Sequence, residues 1–303
     1  MSEVDWIAVD WGTTALRAWI VGGTGTALGP RRSDRGMAVL APEDFEPALL
    51  DLVGEALPAG RTVPVLVCGT AGTREGWREV PYRTVPCAPP GGADAARVAT
   101  RDPRIDVRIL PGMSQSRPAD VMRGEETQIA GVLAARPGYD GVICLPGTHT
   151  KWAEVSAGEV VSFRTFMTGE LFALLSERSI LRHTLSDGDW DAPAFTEAVD
   201  AAIAHPARFA ADLFALRAGA LLDDLPASAA RARLSGLLIG LELGAARPYW
   251  LGQPVILGGE GAQADAYTTA LGGQGVTVDR LDATQITLAG LAAARGQLRQ
   301  EGS

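Results

Sequence analysis

Asp10-Trp11-Gly12-Thr13-Thr14 lies between two apolar runs, Trp6-Ile7-Ala8-Val9 and Leu16-Arg17-Ala18-Trp19-Ile20-Val21. An acidic residue at a strand end, then a glycine and two hydroxyls in a tight turn, is a combination able to hold phosphate. The glycine has no Cβ to keep an anion at a distance. Successive backbone N–H groups and the two Thr hydroxyls form an anion-binding concavity, and Asp10 is placed to hold Mg2+ directly or through water. The same residues also suit a plain hairpin in which Asp and Gly satisfy turn chemistry. Two further glycine-bearing turns end apolar strands: Leu145-Pro-Gly-Thr-His-Thr-Lys151 and Ile256-Leu-Gly-Gly-Glu-Gly261. Three such turns in one order are far more specific than any one.

The elements that must position these turns follow from periodicity and breakers. Runs at 4–10, 15–21 and 63–68 read as buried strands, 42–57 has helical spacing, 105–110 reads as a strand, and 121–135 as a helix carrying Glu125 and Glu126. Pro137-Gly138 breaks the pattern, and the second half restarts in the same order: strand 141–145, a Gly-Thr turn, strands 152–155 and 159–163. An Ala- and Leu-rich helical block spans about 169–247. Strand 254–257, a helix at 260–271, strand 276–278 and a helix at 284–298 complete the chain. The expected class is α/β with mixed five-stranded sheets flanked by helices. The expected domains are 1–136, with a C-terminal helix at 284–303 packing back on it, and 137–283 with the helical block as an insertion.

Composition bounds the function. With 303 residues, 47% hydrophobic and 21% charged, the chain has material for two cores and a cleft between them. A net charge of −9 argues against gripping a nucleic-acid backbone or an anionic membrane. Cys68, Cys87 and Cys144 lack metal-ligand spacing and read as reduced thiols of a cytoplasmic protein. Glu3 and Asp5 precede the first apolar run in place of a basic leader, and no apolar stretch reaches bilayer length, so neither export nor membrane insertion is expected.

With the three turns in view, the sequence resembles the superfamily of sugar kinases, actin and heat-shock chaperones, and an actin-like, ribonuclease H-like fold is what that resemblance implies. The stretches Met122-Arg-Gly-Glu-Glu-Thr-Gln128, Leu145-Pro-Gly-Thr-His-Thr-Lys-Trp152, Phe163-Arg-Thr-Phe-Met-Thr-Gly-Glu-Leu171 and Leu234-Ser-Gly-Leu-Leu-Ile-Gly240 resemble the bacterial 2-dehydro-3-deoxygalactonokinase family over about residues 4–295. The resemblance implies ATP-dependent phosphorylation of 2-dehydro-3-deoxy-D-galactonate at its C6 hydroxyl, a step of galactonate catabolism. Residues and spacing by themselves reach only a nucleotide-dependent phosphotransferase.

An in-line transfer from ATP needs a positioned acceptor, screening of the γ-phosphate and a proton acceptor. On this resemblance Asp10 organises Mg2+, Gly12, Thr13 and Thr14 contact phosphate, and Gly147 and Thr148 form the opposing phosphate turn. Lys151 meets the γ-phosphate or the substrate carboxylate, and His149 is either a substrate contact or a structural imidazole. Glu125 and Glu126, about 100° apart on a helix, compete with Asp120 as general base. A guanidinium fork suits the substrate carboxylate; Arg123 and Arg164 are favoured over Arg17 and Arg74. Thr168-Gly169-Glu170 reads as a helix N-terminal turn, and Gly258, Gly259 and Gly261 as the approach for adenosine. Two other readings stay open: a phosphohydrolase of polyphosphate or guanosine phosphates on the same fold, and a non-catalytic, nucleotide-switched actin-like protein. The apolar block at 209–243 offers a face for a homodimer.

Overall fold

A computed structural model describes residues 4–186 and 190–301. Met1–Glu3, Asp187–Asp189 and Gly302–Ser303 lie outside the described residues, and with them Glu3 of the N-terminal reading and the end of the 284–303 segment. By its contacts the chain divides into unit 1, Met1–Tyr139, Ser156–Ser162 and Ala283–Ser303, and unit 2, Asp140–Val155 and Phe163–Asp282.

Unit 1 begins with β1 (Val4–Trp11), β2 (Leu16–Gly22) and β3 (Arg31–Ser33), followed by α1 (Phe45–Val53) and β4 (Val63–Gly69). Then come β5 (Arg83–Thr84), β6 (Ala96–Arg97), β7 (Ile105–Ile109), β8 (Met113–Ser116), β9 (Ala119–Met122) and α2 (Glu125–Ala135). The main sheet has the order β3-β2-β1-β4-β7-β6, with β1, β4 and β7 parallel. Its central strands are apolar on both faces because both are covered. Val9 and Trp11 pack with Phe45 and Leu49 of α1 on one face, and Trp6, Ala8, Leu66 and Cys68 pack with Leu291 and Ala294 on the other.

Three elements differ from the sequence reading: the strand expected at 276–278 is Val278–Leu281, and two helices change their bounds. The helix expected from 121 starts at Glu125: Ala119–Met122 forms β9 of a small β5-β8-β9 sheet, and Gly124, at φ +109, turns the chain from strand to helix. The helix expected over 42–57 narrows to α1, flanked by short 3-10 turns at Pro42–Asp44 and Gly54–Ala56.

Unit 2 is built on β10 (Gly141–Leu145), β11 (Thr150–Ser156) and β12 (Glu159–Phe166). A helical layer follows: α3 (Thr168–Arg178), α4 (Ala192–Ala204), α5 (Phe209–Leu222), α6 (Ala227–Ala245) and α7 (Arg247–Trp250). The chain continues through β13 (Val255–Gly258), α8 (Gly261–Gly273) and β14 (Val278–Leu281), and α9 (Ala283–Glu301) returns to unit 1. The sheet order β12-β11-β10-β13-β14 repeats β3-β2-β1-β4-β7, antiparallel first and parallel after the central strand. Two mixed sheets of one topology make the actin-like architecture. The first carries the two-residue β6 as a sixth strand.

Candidate active site

In unit 1 the parallel strands β1 and β4 deliver their C-terminal ends to one spot, the usual place for ligands in such sheets. Side chains alternate along β1, so Asp10 falls on the Trp6 and Ala8 face. It stands opposite Arg17 of β2. Arg17 donates to Asp10 Oδ2 from Nη2 at 2.5 Å and from Nε at 3.2 Å, and its Nη1 donates to Thr284 Oγ1 at 3.4 Å. Cys68 Sγ lies 3.9 Å from Asp10 Oδ1. Burial, with Asp10 and Glu126 nearby, pushes the Cys68 thiol well up and keeps it a neutral donor. Gly69, at φ +92, closes the corner: a Cβ there would lie 2.4 Å from the Trp11 carbonyl oxygen, which accepts from Thr70 Oγ1 at 2.8 Å.

The turn after β1 turns its carbonyls inward. Gly12 N–H donates to Ala15 O at 2.8 Å, while Gly12 O and Thr13 O accept from Met37 and Ala38 N–H at 3.1 and 2.9 Å. Thr13 and Thr14 are exposed, and neither their N–H groups nor their hydroxyls meet a protein acceptor among the described residues. They remain as outward donors.

Glu125 and Glu126 diverge at the start of α2. Glu126 is fully buried; Oε2 accepts from Gly124 N–H at 2.6 Å and Oε1 from Thr127 Oγ1 at 3.2 Å. Burial, then the neighbouring Glu125, pushes its carboxyl up to about 7. Glu125 is half-buried, with Oε2 accepting from Arg123 N–H at 3.0 Å. Asp120 belongs to β9, not to the helix, and its Oδ1 accepts from Val121 N–H at 2.8 Å. Arg123 lies 4.3 Å over the Tyr82 ring and donates from Nη2 to Val80 O at 2.7 Å. Its Nε and Nη1 are buried without an acceptor among the described residues, and Gly72 packs directly against Nη1. Arg74 is largely exposed, 3.9 Å from Glu79.

Unit 2 carries the second turn between β10 and β11. Gly147 O accepts from Gln263 Nε2 at 3.0 Å, and Thr148 O from Glu170 N–H at 2.9 Å. The N-terminus of α3 presses on this turn: a Cβ at Gly169 would lie 2.3 Å from Gly147 O. His149, exposed, meets Glu170 Oε2 through Nε2 at 2.5 Å. Lys151 is buried on β11 and donates to Thr165 Oγ1 at 2.9 Å, whereas Arg164 is exposed on β12. Gly258 ends β13, Gly259 N–H donates to Leu281 O at 3.0 Å, and Gly261 starts α8 at φ +66.

Beside this turn, wholly within unit 2, opens a cavity of about 580 Å³. Gly147, Thr148, Gly169 and Gln263 line one part of it and Phe172, Trp190, Leu238 and Ile239 another. Apolar walls with a few convergent polar groups are the usual makeup of a cofactor-sized pocket.

The profile of the 2-keto-3-deoxy-galactonokinase family matches residues 10–294. A Rhizobium meliloti (strain 1021) protein named as a 2-dehydro-3-deoxygalactonokinase is 43% identical over 295 residues, 95% of each chain. The 2-dehydro-3-deoxygalactonokinase of Escherichia coli (strain K12) is 35% identical over 247 residues, covering 80% of this chain and 81% of that one. A crystal structure from Sinorhizobium meliloti, also titled for a 2-dehydro-3-deoxygalactonokinase, superposes with a TM-score of 0.88 at 41% identity, covering 97% of this chain and 96% of the other. The chain belongs to the 2-dehydro-3-deoxygalactonokinase family.

As a sugar-acid kinase of this family, the chain concentrates its candidate residues in two places. Asp10, Gly12, Thr13, Thr14, Arg123, Glu125 and Glu126 gather at the β1, β4 and α2 ends of unit 1. Gly147, Thr148, His149 and Lys151 lie on or just after the unit 2 turn. Arg164 stands apart on an exposed strand position. Several residues of the kinase escape a reading by motif. Glu242 of α6, 2% exposed, accepts from Trp152 Nε1 at 2.7 Å, from Tyr267 OH at 2.7 Å and from Thr168 Oγ1. A lone glutamate two residues past Gly240, within the apolar run Leu237 to Leu243, was the available signal.

Proposed function

We propose that the chain transfers the γ-phosphoryl group of ATP to the C6 hydroxyl of 2-dehydro-3-deoxy-D-galactonate. The observation that carries the donor half is the unit 2 cavity, which puts apolar walls for a planar base beside the Gly147–Thr148 turn. Adenosine packs on the first turn of α8, approached over Gly258, Gly259 and Gly261. Since Gly259 N–H is tied to Leu281, the recognition there is of shape more than hydrogen bonding. Thr13, Thr14, Gly147 and Thr148 offer backbone and hydroxyl donors to phosphate oxygens, and Gly12, its N–H held by Ala15, contributes close backbone approach.

Among the described residues no cluster of three His, Cys, Asp or Glu side chains forms a metal cage. A single carboxylate, Asp10, with phosphate oxygens and water as the remaining ligands, fits Mg2+, which dehydrates reluctantly. When bound, Mg2+ would neutralise charge developing on the phosphate oxygens. Glu125 accepts the C6 hydroxyl proton as the new bond forms from the C6 oxygen to phosphorus. The bond from that phosphorus to the β,γ-bridging oxygen breaks, and its electron pair leaves with ADP. Glu126 is committed to its own helix turn, and Arg123 N–H holds Glu125. Lys151 supplies a cation for the γ-phosphate, and Arg123 supplies the positive charge for the substrate carboxylate. The free thiols Cys68, Cys87 and Cys144 suit a cytoplasmic enzyme.

The deciding experiment is ADP release across a panel of 2-keto-3-deoxy sugar acids, with NMR of the product. The galacto acid should give the largest stimulation, with phosphorus coupled to C6. If no sugar acid raises ADP release above the water background, the kinase reaction proposed here is wrong.

A further inference from the structure

We propose that Glu242 is a positioning residue for the nucleotide: through Thr168 it fixes the Gly147–Thr148 turn, and through Tyr267 one wall of the cavity beside it. This rests on the reading that ATP is the phosphoryl donor.

Four donors from three elements converge on this buried carboxylate, Thr150 of β11 among them. Trp152 of β11 donates to Oε1, and Thr168 of α3 and Tyr267 of α8 donate to Oε2. The Tyr267 hydroxyl also meets Thr150 Oγ1 at 2.8 Å. Thr168 and Tyr267 both line the cavity. Thr168 opens α3, and the next two residues grip the turn: Gly169 packs on Gly147 O, and Glu170 N–H donates to Thr148 O at 2.9 Å. One side chain therefore ties together the sheet, both helix starts and the turn.

A neutral side chain would serve bare structure better, because a buried carboxylate with neutral partners recovers only part of its lost hydration. The other titratable groups facing it, Tyr267 of α8 and Cys144 of β10, are pushed well up by burial and stay neutral. Glu242 itself is pushed up to about 7 by burial, against the pull of its hydrogen bonds. When ionised it can only accept, so Thr168 and Tyr267 both direct their protons inward and turn their lone pairs outward. Protonation, or replacement by Gln, brings an inward donor that reverses one hydroxyl and loosens α3 from its fixed pose.

The test compares wild type, Glu242→Gln, Thr168→Val, Thr168→Ser and the Glu242→Gln/Thr168→Val double variant, with ATP affinity measured by calorimetry alongside steady-state kinetics. At pH 8, Glu242→Gln should raise KM for ATP about tenfold, the worth of one ordered hydrogen bond. KM for the sugar acid and kcat should change less than threefold, and the unfolding temperature should not fall. The ratio to wild type should fall to about one at pH 5.5, where wild-type Glu242 is itself protonated. Thr168→Val should reproduce the defect, Thr168→Ser should restore affinity, and the double variant should be no weaker than Thr168→Val alone. A wild-type KM for ATP in both Glu242→Gln and Thr168→Val, or a ratio independent of pH, overturns the inference while leaving ATP as donor. Failure of the wild type to bind ATP removes the donor reading, and the inference with it.

Discussion

Asp10 is held on one oxygen by Arg17 and faced on the other by a neutral thiol, which makes it an anchor for charge more than a base. Asp10→Asn keeps the hydrogen-bonding shape toward Arg17 and removes the charge. kcat should fall on the order of 10³-fold, with the circular dichroism spectrum unchanged. The carboxylate pair behaves differently. Glu125→Gln should cost roughly 10²- to 10⁴-fold in kcat, the range of a lost general base. Glu126→Gln still accepts from Gly124 N–H and should stay within about tenfold. Glu126 and Glu242 also set a pH dependence of stability. Both are pushed up to about 7 when folded, from an ordinary 4.5. Between those values the folded chain holds more protons than the unfolded one, so stability falls as pH rises through about 4.5 to 7 and levels above. Each carboxyl contributes on the order of 3 kcal/mol to that loss. Unfolding temperatures measured from pH 5 to 8 should show a slope that Glu126→Gln and Glu242→Gln each flatten. The sequence places Glu125 and Glu126 side by side and says that they diverge. Which one goes inside depends on Cys68 and Thr127, brought there by strand pairing and helix packing that no local pattern encodes.

At the scale of elements, the legible parts were those with one dominant period. The β1–turn–β2 unit and its counterpart in β10–turn–β11 announce themselves by apolar runs and a glycine, and the shared sheet order follows from them. The start of α2 does not, because Asp120-Val121-Met122 fits a strand and a helix equally well, and the backbone at Gly124 decides. The Leu234–Gly240 stretch shows a motif acquiring its meaning from packing. Cβ atoms at Gly236 and Gly240 would lie 2.4 and 2.5 Å from the carbonyl oxygens of Phe195 and Val199. Those glycines let α6 lie against α4, while the intervening face puts Ser235, Leu238 and Ile239 on the cavity. The contact of α3 with the second turn is equally tight. In Gly169→Ala the new methyl would stand 2.3 Å from Gly147 O, so the turn must move. KM for ATP should rise about tenfold or more, with a smaller change in KM for the sugar acid; equal changes in both would detach this turn from the nucleotide.

Across the whole molecule, the last helix of the chain is what supports the first motif. The apolar spacing of Ile286, Leu288 and Leu291 marks a helix, but nothing local says which unit it joins. α9 packs into unit 1, where Gln128 Nε2 donates to Thr287 Oγ1 at 3.3 Å and Arg17 reaches Thr284. Its backbone touches α2 directly: a Cβ at Gly290 would lie 1.9 Å from Thr127 O, and one at Gly131 1.8 Å from Ile286 O. Thr127 follows Glu126, so any displacement of α9 reaches the carboxylates. Gly290→Ala should therefore destabilise the protein by about 1–3 kcal/mol, as overpacking does, and lower kcat while KM for ATP stays near its wild-type value. Gly296 is the internal control, because it lies in the same helix with open space around its Cβ position. Gly296→Ala should leave kinetics alone and raise stability by up to about 1 kcal/mol through helix propensity. Thermal unfolding and kinetics of the two variants separate the effects. If both alanines behave alike, the α2–α9 contact does not transmit to the site, and Glu125 owes its position to α2 alone.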